Sequence, residues 1–194
     1  GEDDRRAKVA GAMLLTMKGT PFIYYGEEIG LRDIPIRKRA HIKDPVGKTF
    51  WPLYIGRDGC RAPMQWNGHI HAGFSSTEPW LPVHTNYPDR NVDQQITDPN
   101  SLLMFFKHII QVRKDQPALQ RGNFLPLVSE PRHFLVFLRT YQDDQVLVVL
   151  NFSSRELVYD IPAGTWVSLF GEDTPNHRFI SLASYDIRLF KKID

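Results

Sequence analysis

The chain has 194 residues, 42% hydrophobic and 24% charged, with 24 basic and 22 acidic side chains and a net charge of +2. That length can bury a real core, in one large domain or two small ones, and the composition argues against a disordered chain. The near-balanced charge lacks the basic excess of a nucleic-acid-binding protein, and no apolar run reaches the ~20 residues of a membrane-crossing helix. One cysteine, Cys60, cannot close an internal disulfide, which points to a reducing, cytoplasmic compartment. The opening Gly-Glu-Asp-Asp has neither a start methionine nor a signal-like segment, so a piece of a longer protein is expected.

Residues 5–18 read as a helix with Ala10, Met13, Leu14 and Met17 on one face. Asp3 or Asp4 serves as N-cap, Gly19 takes the left-handed position after the last turn, and Pro21 stops the helix. The apolar run Phe22–Tyr25 then suits a strand buried on both faces, so helix, turn and strand make half of an α/β repeat. Residues 31–97 are rich in Pro, Gly, His, Asp, Asn and Arg. They read as a long ordered excursion with a short helix at 36–42, and loops of this length are usually functional. Asp98-Pro99 opens a second helix, with Asp as N-cap and Pro at the first helical position. Leu102, Phe105, Phe106 and Ile109 form its apolar stripe, and Pro117 ends it. After Gly122, "HFLVFLRTY" and "QVLVVLNF" are strand-like runs joined by Gln142-Asp143-Asp144. Shorter runs follow at spacings that suggest a small antiparallel sandwich or barrel.

The ordered set "GTPFIYYGEEIG", "DPVGKTFWP", "GRDGCRAPMQW", "AGFS", "PWLPV", "DPNSLL" and "VRKDQPAL" resembles the C-terminal part of the α-glucosidases of the α-amylase superfamily, glycoside hydrolase family 13. The resemblance covers most of residues 4–125. It implies an α/β plus all-β fold: the last strand and flanking helices of a (β/α)8 barrel in residues 1–120, then an antiparallel β-sandwich in 121–194. Residues 4–18 would be the seventh barrel helix, 21–26 the eighth strand, 27–97 the loop after it and 98–117 the last helix. Barrel active sites are built from loops at the C-terminal ends of the strands, so "GRDGCRAPMQW" would lie on the substrate face.

Retaining hydrolysis of an α-glucoside needs a carboxylate nucleophile and a carboxylic acid about 5–5.5 Å apart. The family takes its three acids from the fourth, fifth and seventh strands, the third from an Asn-His-Asp motif that does not occur here. The resemblance therefore implies no catalytic residue in this chain. Neighbouring carboxylates do not replace them, because Glu27 and Glu28 on an extended segment point to opposite faces. Substrate positioning remains. The resemblance implies that Arg61 helps to hold the non-reducing-end glucose, a task that suits a fixed fork of N–H donors. The alternative is an internal ion pair of Arg61 with Asp58 or Glu27. Arg57 and Glu27 are further binding candidates, with a structural hydrogen-bonding role the alternative for Glu27. Trp51, Trp66 and Trp80 read as packing anchors of the long loop, though sugars also stack on such rings. Cys60 lacks a Cys–His–acid pattern, and His69, His71 and His84 lack metal-ligand spacing, so no cofactor or metal is expected. Ala62 departs from the family's usual threonine.

The function implied is the C-terminal portion of an exo-acting, retaining α-glucosidase that releases glucose from short α-glucosides. The portion itself would be inactive, its partner a small oligosaccharide rather than nucleic acid or membrane. Self-association through the exposed edge of the eighth strand is expected, or an extended arrangement of residues 1–50. The alternatives are a trehalose- or isomaltulose-synthase-type transglycosylase and a non-catalytic, carbohydrate-binding or transporter-accessory relative.

Overall fold

The computed structural model describes residues 3–130, 133–171 and 178–194. The chain divides into two compact units, Gly1–Phe22 with Phe105–Asp194, and Ile23–Met104.

The first unit opens with helix α1, Asp4–Thr16. Asp3 is its N-cap and accepts from the Arg5 amide at 2.9 Å, as its short carboxylate and position before the helix require. Gly19 has φ 122°, a left-handed conformation open to glycine. The buried face differs from the expected stripe. Val9, Ala12, Leu15 and Thr16 are buried, whereas Ala10 is exposed and Met13 and Leu14 are half-buried. The helix is apolar on two adjacent faces, so periodicity alone did not decide which one packs. Close approach decides it: a Cβ on Gly11 would lie 2.8 Å from the Phe106 ring.

The β region supplies seven strands among the described residues. They are β1 (Asn123–Glu130), β2 (Phe134–Tyr141), β3 (Asp144–Asn151), β4 (Leu157–Asp160), β5 (Trp166–Phe170), β6 (Phe179–Leu182) and β7 (Ile187–Lys192). Five form an antiparallel sheet in the order β1-β2-β3-β7-β5, and β4 pairs with β6 in a second sheet. Phe134, Val136, Leu147, Val149, Trp166 and Phe190 from the large sheet meet Leu182, Leu157 and Ile180 from the small one, with Ile161 in the same cluster. The opposite face of the large sheet buries Phe137, Val148, Leu150 and Leu189. Both faces are covered, which is why β2 and β3 read as near-continuous apolar runs rather than strict alternation. The β2–β3 hairpin closes with Tyr141 opposite Asp144, and Gln142 in the turn has φ 52°.

The expected cap at Asp98-Pro99 is displaced. The helix itself, α4 (Leu102–Asp115), starts three residues beyond Pro99. Asp98 instead closes a turn, accepting from the Asn100 amide, while the Ser101 hydroxyl accepts from the Met104 amide as the true N-cap. Leu102, Phe105, Phe106 and Ile109 are buried as expected. Helix α5, Pro117–Arg121, follows at once, and the Asp144 carboxylate accepts from its Ala118 amide at 2.8 Å. Asp144, expected only as a turn tip, also pairs with Lys191 at 3.0 Å.

The second unit has helices α2 (Pro45–Phe50) and α3 (Val92–Thr97), four 3-10 turns and no strand among its described residues. Ile34, Ile36, Ile42, Ala62 and Leu81 form its small core, with Trp51 and Ile55 packed against it. The helix expected at 36–42 shrinks to one 3-10 turn, Arg39–His41, since Ile36 and Ile42 are both drawn into that core. The strand expected at 21–26 carries no ladder. Phe22 is 82% exposed, and Ile23, Tyr24 and Tyr25 are exposed as well. A barrel strand forms through partners on both sides, and no described residue pairs with this segment.

Candidate substrate-binding loop

Two aspartates build the loop that begins at Gly56. Asp58 is buried, and its Oδ2 accepts from the amides of Lys43 at 2.6 Å and Asp44 at 2.9 Å. Asp44 caps α2 through Oδ1, which accepts from Val46 at 2.9 Å, and its Oδ2 accepts from the Arg57 amide at 2.9 Å. Residues 43–46 and 56–58 are therefore stapled by carboxylate-to-amide bonds in both directions. Gly56 makes this possible: its φ is 76°, and a Cβ there would meet the Asp44 side chain at 2.8 Å. The Arg57 amide above all, then the Val46 and Gly47 amides and the Arg61 guanidinium, hold the Asp44 carboxyl below its usual range against the opposing effect of burial.

The chain then makes a 3-10 turn, Asp58–Arg61, and runs on as a buried segment, Ala62–Gln65. Gln65 is fully buried and its amide donates to the Arg90 carbonyl and to Asn86 Oδ1. The Val92 amide donates to the Gln65 carbonyl and the Asp93 amide to the Trp66 carbonyl, both at 3.0 Å. The loop is thus pegged at both ends, with residues 57–61 between the pegs.

Arg61 lies in that interval. Its side chain is 43% exposed, and Nη1 stands 3.9 Å from Asp44 Oδ2. The alternative to sugar contact was an internal ion pair with Asp58 or Glu27; the structure gives Asp44 as the ion-pair partner, while an Asp58 oxygen accepts from backbone amides. At 3.9 Å the pair is a long ion pair without a hydrogen bond, and the guanidinium stays exposed. Arg57 is exposed. Its amide serves Asp44, and its carbonyl accepts from the Cys60 thiol at 3.2 Å. Glu27 is exposed at the head of a 3-10 turn, where Oε2 accepts from the Tyr24 amide at 3.1 Å. Glu28 does the same for Gly26 at 2.8 Å, so both carboxylates close the turn they stand on.

Tyr25 is the residue that sequence reasoning missed. Its hydroxyl donates to the Ala62 carbonyl at 3.0 Å, tying the 24–27 turn to the Arg61 loop. Burial chiefly, with Tyr24 and Cys60 nearby, raises its pKa, and the Arg61 charge opposes that rise. The Tyr24 and Tyr25 rings lie 4.8 Å apart. Reading this run as a buried strand hid the role. Of the three tryptophans of the long loop, Trp51 alone is seen packed on the described loop core. Trp66 and Trp80 are exposed, Trp80 at 72%, so they are not packing anchors.

Residues 1–122 match the family of alpha amylase catalytic domains, and residues 124–189 match the C-terminal domain of maltogenic amylase. The chain belongs to the alpha-amylase family of glycoside hydrolases. It is 33% identical over 189 residues to the "Probable alpha-glucosidase" of Rhizobium meliloti, covering 97% of this chain and 33% of that one. It is also 32% identical over 173 residues to the oligo-1,6-glucosidase of Bacillus cereus, covering 80% of this chain and 31% of that one. Among solved structures, the isomaltulose synthase of Klebsiella sp. LX3 has a TM-score of 0.86 at 28% identity, over 96% of this chain and 38% of that one. The chain therefore spans about a third of the length of the curated relatives it matches.

Proposed function

We propose that this chain forms one wall of the substrate pocket, and the β-domain, of a retaining exo-α-glucosidase acting on short α-glucosides. The observation that carries the reading is Arg61, half-exposed beside the Asp44 carboxylate on a loop pegged at both ends. Such a guanidinium donates to sugar hydroxyls in the ground state and the transition state alike, so its contribution lies in binding. The carboxylates that cleave the bond come from sequence outside this chain, and the chain alone does not turn over an aryl α-glucoside. The likeness to relatives named as oligo-1,6-glucosidases supports α-1,6-linked, isomaltose-like substrates for this chain's enzyme. One cysteine suits a reducing, cytoplasmic setting. The unpaired, exposed segment 22–25 leads this chain, by itself, to self-associate, and light scattering that finds only monomer refutes that part.

The test is Arg61→Ala in the intact enzyme. KM for isomaltose rises about tenfold to a hundredfold with kcat little changed, the loss of one or two charge-assisted hydrogen bonds. An unchanged KM removes Arg61 from the pocket. A second reading, sugar transfer instead of hydrolysis, is favoured by the likeness to isomaltulose and trehalulose synthases. Product analysis with sucrose separates the two: glucose and fructose mark the hydrolase, an isomeric disaccharide the transferase.

A further inference from the structure

A cavity of about 440 Å³ opens on the first unit where α1 and α5 end. Its charged lining is Lys18, Arg113 and Arg121, its other polar side chains are Thr20 and Gln120, and among the described residues no carboxylate lines it. Arg113 donates to the carbonyls of Leu15 at 2.6 Å, Met17 at 3.4 Å and Gly19 at 2.8 Å. Those bonds use three of the five N–H donors of a guanidinium. Arg139, fully buried on β2, donates to the carbonyls of Thr16, Gly122 and Asn123. Among the described residues none of these four cations pairs with a carboxylate. The charge does not balance locally. Two helix C-termini supply about half a negative charge each, against four full positive charges. Burial, and then the positive charge of Arg113, hold the Arg139 pKa down to about 10, and burial lowers that of Arg113.

We propose that this cavity binds an oxyanion, phosphate or the phosphate group of a small monoester, through Lys18, Arg121 and the uncommitted N–H donors of Arg113. The bland explanation is that the cations only complement two helix ends. That accounts for Arg113 and Arg139, which bond the carbonyls, and for Arg121 in the last turn of α5, but it leaves four cations gathered against two half charges, with Lys18 beyond the end of α1. The volume lies within the range of small-ligand pockets, about 300–1,000 Å³, and leaves room for more than the anion itself. No residue of this cavity belongs to the unit that carries Arg61, so the proposal stands apart from the glucosidase reading.

The test is binding of inorganic phosphate and of a hexose 6-phosphate to the purified protein, followed by ³¹P NMR and thermal melting at constant ionic strength. Saturable binding and a rise in Tm are expected with phosphate and not with chloride. Lys18→Gln with Arg121→Gln weakens binding at least tenfold, while the Tm without phosphate stays within about a degree, since both side chains are exposed. Tighter binding of the ester assigns the site to a phosphorylated metabolite, and equal binding assigns it to the free ion. Equal shifts with chloride, or an undiminished response in the double variant, overturn the proposal.

Discussion

The β region and the 23–104 unit are held together by different forces. In the β region, Val136, Leu147, Val149, Leu182 and Phe190 are buried between two sheets, and each strand is also tied by its ladder. The contacts are many and individually replaceable. The loop unit has a small described core of Ile34, Ile36, Ile42, Ala62 and Leu81, and it depends heavily on single polar side chains. Asp58, Asp44, Gln65, Asn91 and Gln95 each satisfy backbone groups distant in sequence or cap a short helix. Apolar packing tolerates repacking, whereas a buried carboxylate that accepts two amides has no substitute of the same geometry. Pegs at fixed points leave Arg57, Cys60 and Arg61 exposed between them.

The comparison can be broken most strongly in the β core. Phe190→Ala removes a ring buried between the two sheets and is expected to cost about 3–5 kcal/mol, read as a lower urea midpoint and loss of amide protection across all ladder strands together. Asp58→Ala comes next, at about 3 kcal/mol, from two stranded amide donors. Its effect is local: exchange accelerates at Lys43 and Asp44 while the β strands keep their protection. Asp58→Asn retains one acceptor oxygen and recovers part of the loss. If Asp58→Ala melts the β strands as well, the two regions are not separately held. A third test uses acid. Asp44 is charged more readily in the fold than an ordinary aspartate, so its contribution is complete above the usual carboxylate range and is lost as pH falls through the lowered pKa. Exchange at the Val46 and Arg57 amides should stay flat from pH 7 down to about 4, after correction for intrinsic rates, and rise below it.

The two regions were also unequally legible in the sequence. The strands, the hairpin at Gln142 and the stripe of α4 could be read because burial imposes a period and turns need few residue types. The signal at Asp98-Pro99 was sound chemistry at the wrong place. The same dipeptide at Asp44-Pro45 is a true cap, with Asp as N-cap and Pro at the first helical position, and it went unread. What separates them is whether the carboxylate is wanted elsewhere and whether a better cap such as Ser101 follows. That depends on the tertiary neighbourhood. The Asp44–Arg61 pair and the Tyr25–Ala62 bond join residues 17 and 37 positions apart on non-periodic chain, where spacing carries no information. The run Phe22–Tyr25 was misread for a related reason: its composition fits a strand, but a strand is a property of its neighbours.

The smallest expected effect tests how firmly the β region dictates its own turn. Gln142 sits at φ 52°, a left-handed conformation that a residue with a Cβ adopts at a cost of about 1–2 kcal/mol. Hairpin turns of two residues favour glycine or asparagine at such positions, and glutamine has neither advantage. The strain persists because the β2–β3 register, running from Phe134–Asn151 to Tyr141–Asp144, leaves the turn no other path. Gln142→Gly removes the strain but adds freedom to the unfolded chain, an opposing effect of about 0.4–1 kcal/mol. A net gain of about 0.5 kcal/mol follows, a rise of a degree or two in Tm for a chain of this size. A loss of stability would mean that the glutamine side chain contributes something in the turn that outweighs its backbone strain, and that the ladder does not by itself determine the hairpin.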